Sequence, residues 1–236
     1  MKRIQQRHEL VDKLVGFALR GASVSLLGPR GIGKTSLLLE VARIVGEDHG
    51  RPVGYGEHTA GLGDVTRALS AAYPEVARDA RTRRGLRGAL RLAAEACPGV
   101  LLLDHVVGQG TALRGFLRSL EGTGLGLILA ADVHDARERE LFRRVRLASR
   151  EVDVPPLSRR ELRALLQKSL EATGVTLTGG DAGRLLDLAR GRPGFIVGLA
   201  ARVGEPQYWR RGRLLAHLLY ADLELMPGVT DDVRAQ

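Results

Sequence analysis

Gly28-Pro29-Arg30-Gly31-Ile32-Gly33-Lys34-Thr35 constrains this chain more than any other stretch, because it matches G-x-x-x-x-G-K-[ST] at every fixed position. The glycines let the backbone curl until successive N–H groups converge on an anion, and a following helix adds the partial charge of its N-terminus. In such a loop Lys34 reaches the β- and γ-phosphates of a nucleotide, and the Thr35 hydroxyl is offered to Mg²⁺. The pattern carries that meaning only between a strand and a helix. Ala22-Ser23-Val24-Ser25-Leu26-Leu27 is a β-capable run that enters the Gly28-Pro29 turn, and residues 36–45 read as a helix. A glycine-rich turn with a chance lysine would lack this context. Gly28 to Thr35, with Ser36, is therefore expected to hold Mg-ATP, with Mg-GTP as the alternative.

The remaining pattern supplies a sheet for that loop. Apolar runs at Pro52-Val53-Gly54-Tyr55, Val100-Leu101-Leu102-Leu103, Leu125 to Ala130 and Val152-Asp153-Val154 alternate with helical periodicity at 65–73, 86–96, 113–120 and 137–147. Strands that are apolar throughout, separated by helices, indicate a parallel sheet covered on both faces. After Pro155-Pro156 the texture changes. Ser158 with Glu161 three residues on is a capping box, and helical pattern continues over 181–189, 195–203 and 208–225, broken by Gly191-Arg192-Pro193-Gly194. The expectation is an α/β P-loop domain of five parallel strands at 1–156 and a small all-helical domain with a C-terminal tail at 157–236.

Composition bounds the partners. The single cysteine, Cys97, excludes an internal disulfide framework and fits a reducing compartment. No apolar run is long enough to span a bilayer, and MKRIQQRHEL has no secretory h-region, so a cytoplasmic protein without a membrane partner is expected. The formal charge is +9, and all the basic residues are Arg except Lys2, Lys13, Lys34 and Lys168. The arginines gather at 78–91, 137–150 and 202–213, with Arg84, Arg87 and Arg91 on one helix face. Such a face can track phosphates of DNA, although a solvated surface reads the same way. With aromatics at 4% and no DNA-binding signature, base readout is not expected. No H-E-x-x-H, C-x-x-C or G-x-S-x-G occurs, which leaves metalloprotease, thiol-redox and hydrolase-elbow chemistry unsupported.

The chain resembles the AAA+ ATPases, in particular their regulatory branch near the signal-transducing (STAND-like) ATPases and the helper ATPases of transposition and replication initiation. The resemblance runs from Arg7-His8-Glu9-Leu10, similar to the segment beside the adenine in that group, through the P-loop and the Val100–Leu103 strand with Asp104. It continues to Ser149-Arg150 and to Gly191-Arg192-Pro193-Gly194, similar to a lid motif. It implies that Asp104 holds Mg²⁺ with Thr35, that Arg150 is an arginine finger acting on a neighbouring copy, and that Arg192 and Pro193 meet the nucleotide from the lid. Arg143, Arg144 and Arg146 compete with Arg150 for the finger. Where the family places Glu after the strand-end Asp, this chain has His105. A second candidate base is Glu57, and Asp132 stands at the polar sensor position.

Two functions follow from the resemblance and stay open at this point. One is a homo-oligomeric, DNA-associated ATPase that uses ATP to control assembly or recruit a partner. The other is a nucleotide-dependent signalling switch with slow or no hydrolysis and a protein partner. The arginine clusters favour the first and His105 favours the second.

Overall fold

The computed structural model describes residues 2–79, 81–107, 110–132 and 150–225. Contacts divide the chain into two compact units, one of residues 5–28 and 34–154, the other of 1–4, 29–33 and 155–236. The expected charged helix at 137–147, with Arg143, Arg144, Arg146 and Ser149, lies outside the described residues.

The first unit is built on β1 (Ser23–Leu27), β2 (Val53–Gly56), β3 (Val100–Leu103), β4 (Gly126–Ala131) and β5 (Arg150–Asp153). They form one parallel sheet in the order β2-β3-β4-β1-β5. Position in that order explains composition. β3 and β4 have a strand on each side and a layer on each face, and every residue in them is buried. β5 is an edge strand, and only Val152 of its four residues is buried.

Alternation sorts the interior side chains between the faces. Leu101, Leu103, Leu127 and Leu129 share a core with α3 (Leu62–Ala72), α5 (Arg83–Ala96) and α6 (Thr111–Leu120). Each such leucine stabilises the fold by about 1.5–3 kcal/mol relative to exposure. The opposite face carries α1 (Lys2–Leu19) and α2 (Lys34–Arg43), which runs into a π-turn at Ile44–Asp48. Helix α1 comes so close that a Cβ at Gly126 would lie 2.4 Å from the Ala18 carbonyl oxygen, so glycine is required there. A short α4 (Pro74–Asp79) starts with proline at its first position, where the missing N–H costs nothing.

The second unit contains α7 (Arg159–Glu171), α8 (Gly179–Ala189), α9 (Pro193–Arg202) and α10 (Ala216–Leu225) around Leu162, Leu166, Leu185, Phe195, Leu199 and Leu219. The capping box forms as the sequence indicates: the Ser158 hydroxyl accepts from the Glu161 N–H, and the Glu161 carboxylate accepts from the Ser158 N–H at 2.7 Å. One segment differs from expectation. Residues 208–225 are not a single helix: a 3₁₀ turn at Pro206–Tyr208 leads into a two-strand antiparallel hairpin, β6 (Trp209–Arg210) and β7 (Arg213–Leu214), before α10 begins. Among the described residues, no helix is long and apolar enough to cross a membrane.

Candidate functional site: the phosphate-binding loop and its neighbours

Strand β1 delivers the chain to Gly28 at the carboxyl edge of the sheet, and α2 departs at Lys34. Between them Gly31 (φ +75°) and Gly33 (φ +100°) sit in the left-handed region open to glycine. Ile32 is buried at 2% exposure and its N–H donates to the Pro29 carbonyl at 3.2 Å, which pins the middle of the loop. Lys34 is almost fully buried, and its Nζ donates to the Gly28 carbonyl at 2.6 Å. The ammonium is thus aimed back across the loop. Thr35 and Ser36 occupy the first turn of α2, where backbone N–H groups lack intrahelical partners and the helix dipole is positive.

Asp104 follows β3 and Asp132 follows β4 at the same edge. One strand separates β3 from β1, so Asp104 lies about 10 Å across the sheet from the start of the loop, two interstrand spacings. Alternation sends its carboxylate to the face opposite Leu103, the face that bears α2. It is fully buried: Oδ1 accepts the His105 N–H at 3.0 Å, while Oδ2 has no hydrogen-bond partner among the described residues. A buried carboxylate oxygen left unpaired is unfavourable by itself. The donor set fits Mg²⁺. Among the described residues no group of three or more His, Cys, Asp or Glu is placed to cage a metal, and Mg²⁺ needs none, since it keeps several waters and takes one or two protein oxygens besides phosphates. Thr35 and Asp104 would be those oxygens. Asp132 is half-buried and level with Gly28, because Leu27 pairs with Ala131.

His105 has φ +44°, unusual for a residue with a Cβ. Its loop is laced to the one after β2: the Thr59 N–H donates to the Asp104 and His105 carbonyls at 3.3 Å, and the Val107 N–H to the Thr59 carbonyl at 3.0 Å. The His58 and His105 rings lie 5.3 Å apart. No local sequence signal marks His58, since the pairing joins two loops through the sheet. Glu57 is exposed, and β3 and β4 separate its strand from β1.

The other candidates stand elsewhere. Arg7 is half-buried on α1. Arg150 is exposed opposite Val24, at the amino end of the sheet and so away from Gly28 on the same chain, with its guanidinium over the Phe17 ring at 5.3 Å. Arg192 caps the N-terminus of α9, and Pro193 is its first residue. Its guanidinium lies 3.8 Å from the Phe195 ring centroid and donates to the Tyr220 hydroxyl at 2.5 Å and to Glu224 at 3.1 Å. Tyr220 and Glu224 were not among the sequence candidates; their i,i+4 spacing on α10 was the only available sign.

The loop tip, residues 29–33, belongs to the same unit as α9. The Gly194 N–H donates to the Gly31 carbonyl at 2.8 Å, and a Cβ at Gly31 would come within 2.7 Å of Phe195 Cδ2. Gly31→Ala is therefore expected to destabilise the protein by about 1–3 kcal/mol, from the positive φ together with the contact. Thermal melting checks this; a variant that melts with the wild type would show that the loop tip shifts freely off Phe195.

No family model matches the sequence, and no curated protein sequence matches it. Solved structures do. The Walker-type ATPase PABY2304 of Pyrococcus abyssi superposes with a TM-score of 0.57 at 15% identity, over 96% of this chain and 75% of that one. The Orc1 protein of Aeropyrum pernix in complex with DNA gives 0.58 at 18% identity, over 94% of this chain and 65% of its own. The replication initiator DnaA bound to AMPPCP and single-stranded DNA gives 0.51 at 18% identity, over 87% of this chain and 60% of its own. At these identities the likeness is one of fold. The parallel sheet with its covering helices, and a helical unit besides, match the fold of these Walker-type ATPase, Orc1 and DnaA structures.

Proposed function

We propose that the chain is an Mg-ATP-binding ATPase of AAA+ type, homo-oligomeric and DNA-associated, that uses ATP binding and hydrolysis to control assembly or recruit a protein partner in the cytoplasm. The observation that carries the reading is the phosphate-binding loop, with a buried ammonium turned across it and the unpartnered Asp104 oxygen at the same sheet edge. Residues 1–156 would bind nucleotide and 157–236 would respond to it. Bound Mg²⁺ would neutralise phosphate charge and polarise the terminal phosphate. The loop amides and Lys34 hold the phosphates, Arg7 flanks the base, and Asp132 lies level with the loop. Arg150, remote from its own loop, acts on a neighbouring copy. Arg192 and Pro193 answer to the nucleotide from the helical unit. His105 and Glu57 are the two candidates for the base that orients water. His105 follows Asp104 directly, whereas two strands separate Glu57 from β1.

The switch with slow or no hydrolysis is the second reading, favoured by a constrained His105 where Glu would be expected. Steady-state ATP hydrolysis with and without duplex DNA, with Lys34→Ala as the blank, separates the two. Turnover that rises with DNA supports the helper ATPase; tight binding without turnover in either condition supports the switch.

DNA contact through the arginines of α5 and α6 is supported by their pairing. Arg78 pairs with Glu75 at 2.8 Å and Arg91 with Glu95 at 3.2 Å. Among the described residues, Arg84 and Arg87 on α5 and Arg114 and Arg118 on α6 have no carboxylate partner, and both helices cover one face of the sheet. Replacing Arg84 and Arg87 by Ala is expected to weaken duplex binding at low salt and to flatten the log Kd against log salt slope by about 1.8, at about 0.9 per phosphate contact. An unchanged slope would remove this face from the DNA contact.

A further inference from the structure

Arg192 is engaged by four residues of its own unit. Its side chain is 13% exposed, stacked on Phe195, with Nε donating to the Ala189 carbonyl at 3.3 Å and Nη2 donating to both Tyr220 and Glu224. Tyr220 in turn donates its hydroxyl to Glu224 at 2.5 Å, and its ring lies 5.5 Å from that of Phe195. Burial works to raise the Glu224 carboxyl, but the Tyr220 hydroxyl, Arg192 and Arg30 together hold it below the ordinary carboxylate range. Arg30 belongs to the phosphate-binding loop, and the Gly31–Gly194 hydrogen bond ties that loop tip to the turn carrying Arg192. A carboxylate on α10 thus interacts both with Arg192 and with a cation of the loop tip, and a phosphate would compete for the same guanidinium.

We propose that Glu224, supported by Tyr220, is an internal competitor for Arg192, so that a nucleoside triphosphate must displace this carboxylate to engage the arginine and α10 thereby sets nucleotide affinity and the preference for triphosphate over diphosphate. The inference rests on the reading of Arg192 as a nucleotide-responsive residue. Carboxylate and phosphate both accept from a guanidinium fork, and phosphate brings the greater charge, so exchange needs no new donor. Because the Glu224 side chain is 39% exposed, water reaches the ion pair from that side and its hold is modest and reversible, which suits a competitor more than a lock. A diphosphate, one phosphate shorter, has less charge with which to displace Glu224.

Calorimetric titration of the full chain with ATP and with ADP, in the presence of Mg²⁺, tests this on Arg192→Ala, Glu224→Gln, Tyr220→Phe and the Arg192→Ala/Glu224→Gln double variant. Glu224→Gln keeps the side-chain shape and removes the charge; ATP should bind about 3- to 10-fold tighter, with a smaller gain for ADP. Tyr220→Phe, which keeps the ring against Phe195, should shift ATP in the same direction by less. Arg192→Ala should weaken ATP, and the double variant should match Arg192→Ala. Weaker ATP binding in Arg192→Ala with no tightening in Glu224→Gln or Tyr220→Phe would overturn the competitor and leave the reading of Arg192 standing. Unchanged ATP binding in Arg192→Ala would overturn both.

Discussion

Lys34→Ala is expected to weaken ATP binding by about 100-fold or more, measured by calorimetry. The ammonium is nearly buried and its Nζ reaches back to the Gly28 carbonyl, so it is already directed over the loop before nucleotide arrives. Two charge-assisted hydrogen bonds to phosphate oxygens, at about 1.5–3 kcal/mol each, account for about two to four decades of affinity. The same loss shows in melting. At ATP concentrations about 100 times Kd the wild type gains about 2.7 kcal/mol of stability, or about 5–10 °C for a chain of this size. A variant 100-fold weaker at the same concentration gains about 0.4 kcal/mol. Without nucleotide the two proteins should melt within a few degrees of each other, because Ala loses the bond to the Gly28 carbonyl but also releases a buried cation. Equal ATP affinity in the two proteins would contradict the assignment of the loop.

The loop was legible because its chemistry is local: two glycines, a lysine and a threonine at fixed spacing need only the strand before and the helix after. The interior strands were legible because burial on both faces leaves Val100–Leu103 and Gly126–Ala131 no room for polar residues. The hairpin between 208 and 215 was not. Its two-residue turn has positive φ at both Arg211 and Gly212, the geometry usually signalled by Asn-Gly or Asp-Gly, and arginine in the first position hid it inside a helical apolar pattern. The partners of Arg192 were hidden for another reason: Tyr220 and Glu224 lie 28 and 32 residues downstream, and only folding brings them to it. The His58–His105 pair is of the same kind, since the loops after β2 and β3 meet only once those strands are adjacent.

Asp104→Asn is expected to move stability and ligand response in opposite directions. In the folded chain the carboxylate is fully buried with one oxygen on the His105 N–H and the other unpaired. Asparagine has the same shape, can keep the first bond through its carbonyl oxygen and removes the charge. Without metal or nucleotide the variant should therefore melt higher, by about 2–4 °C for each kcal/mol of relieved burial, with about 1–3 kcal/mol at stake. With Mg²⁺ and ATP the order should reverse. The wild type should bind ATP more tightly as Mg²⁺ is titrated in, whereas the variant, lacking the carboxylate charge, should lose most of that increment. A carboxylate retained only to end β3 would behave differently, because its replacement would leave the Mg²⁺ dependence intact whatever happened to the melting temperature. A variant that melts lower and keeps the Mg²⁺ dependence would make Asp104 a structural residue and would send the search for the metal ligand to Asp132, the other acidic side chain following an interior strand at that edge of the sheet.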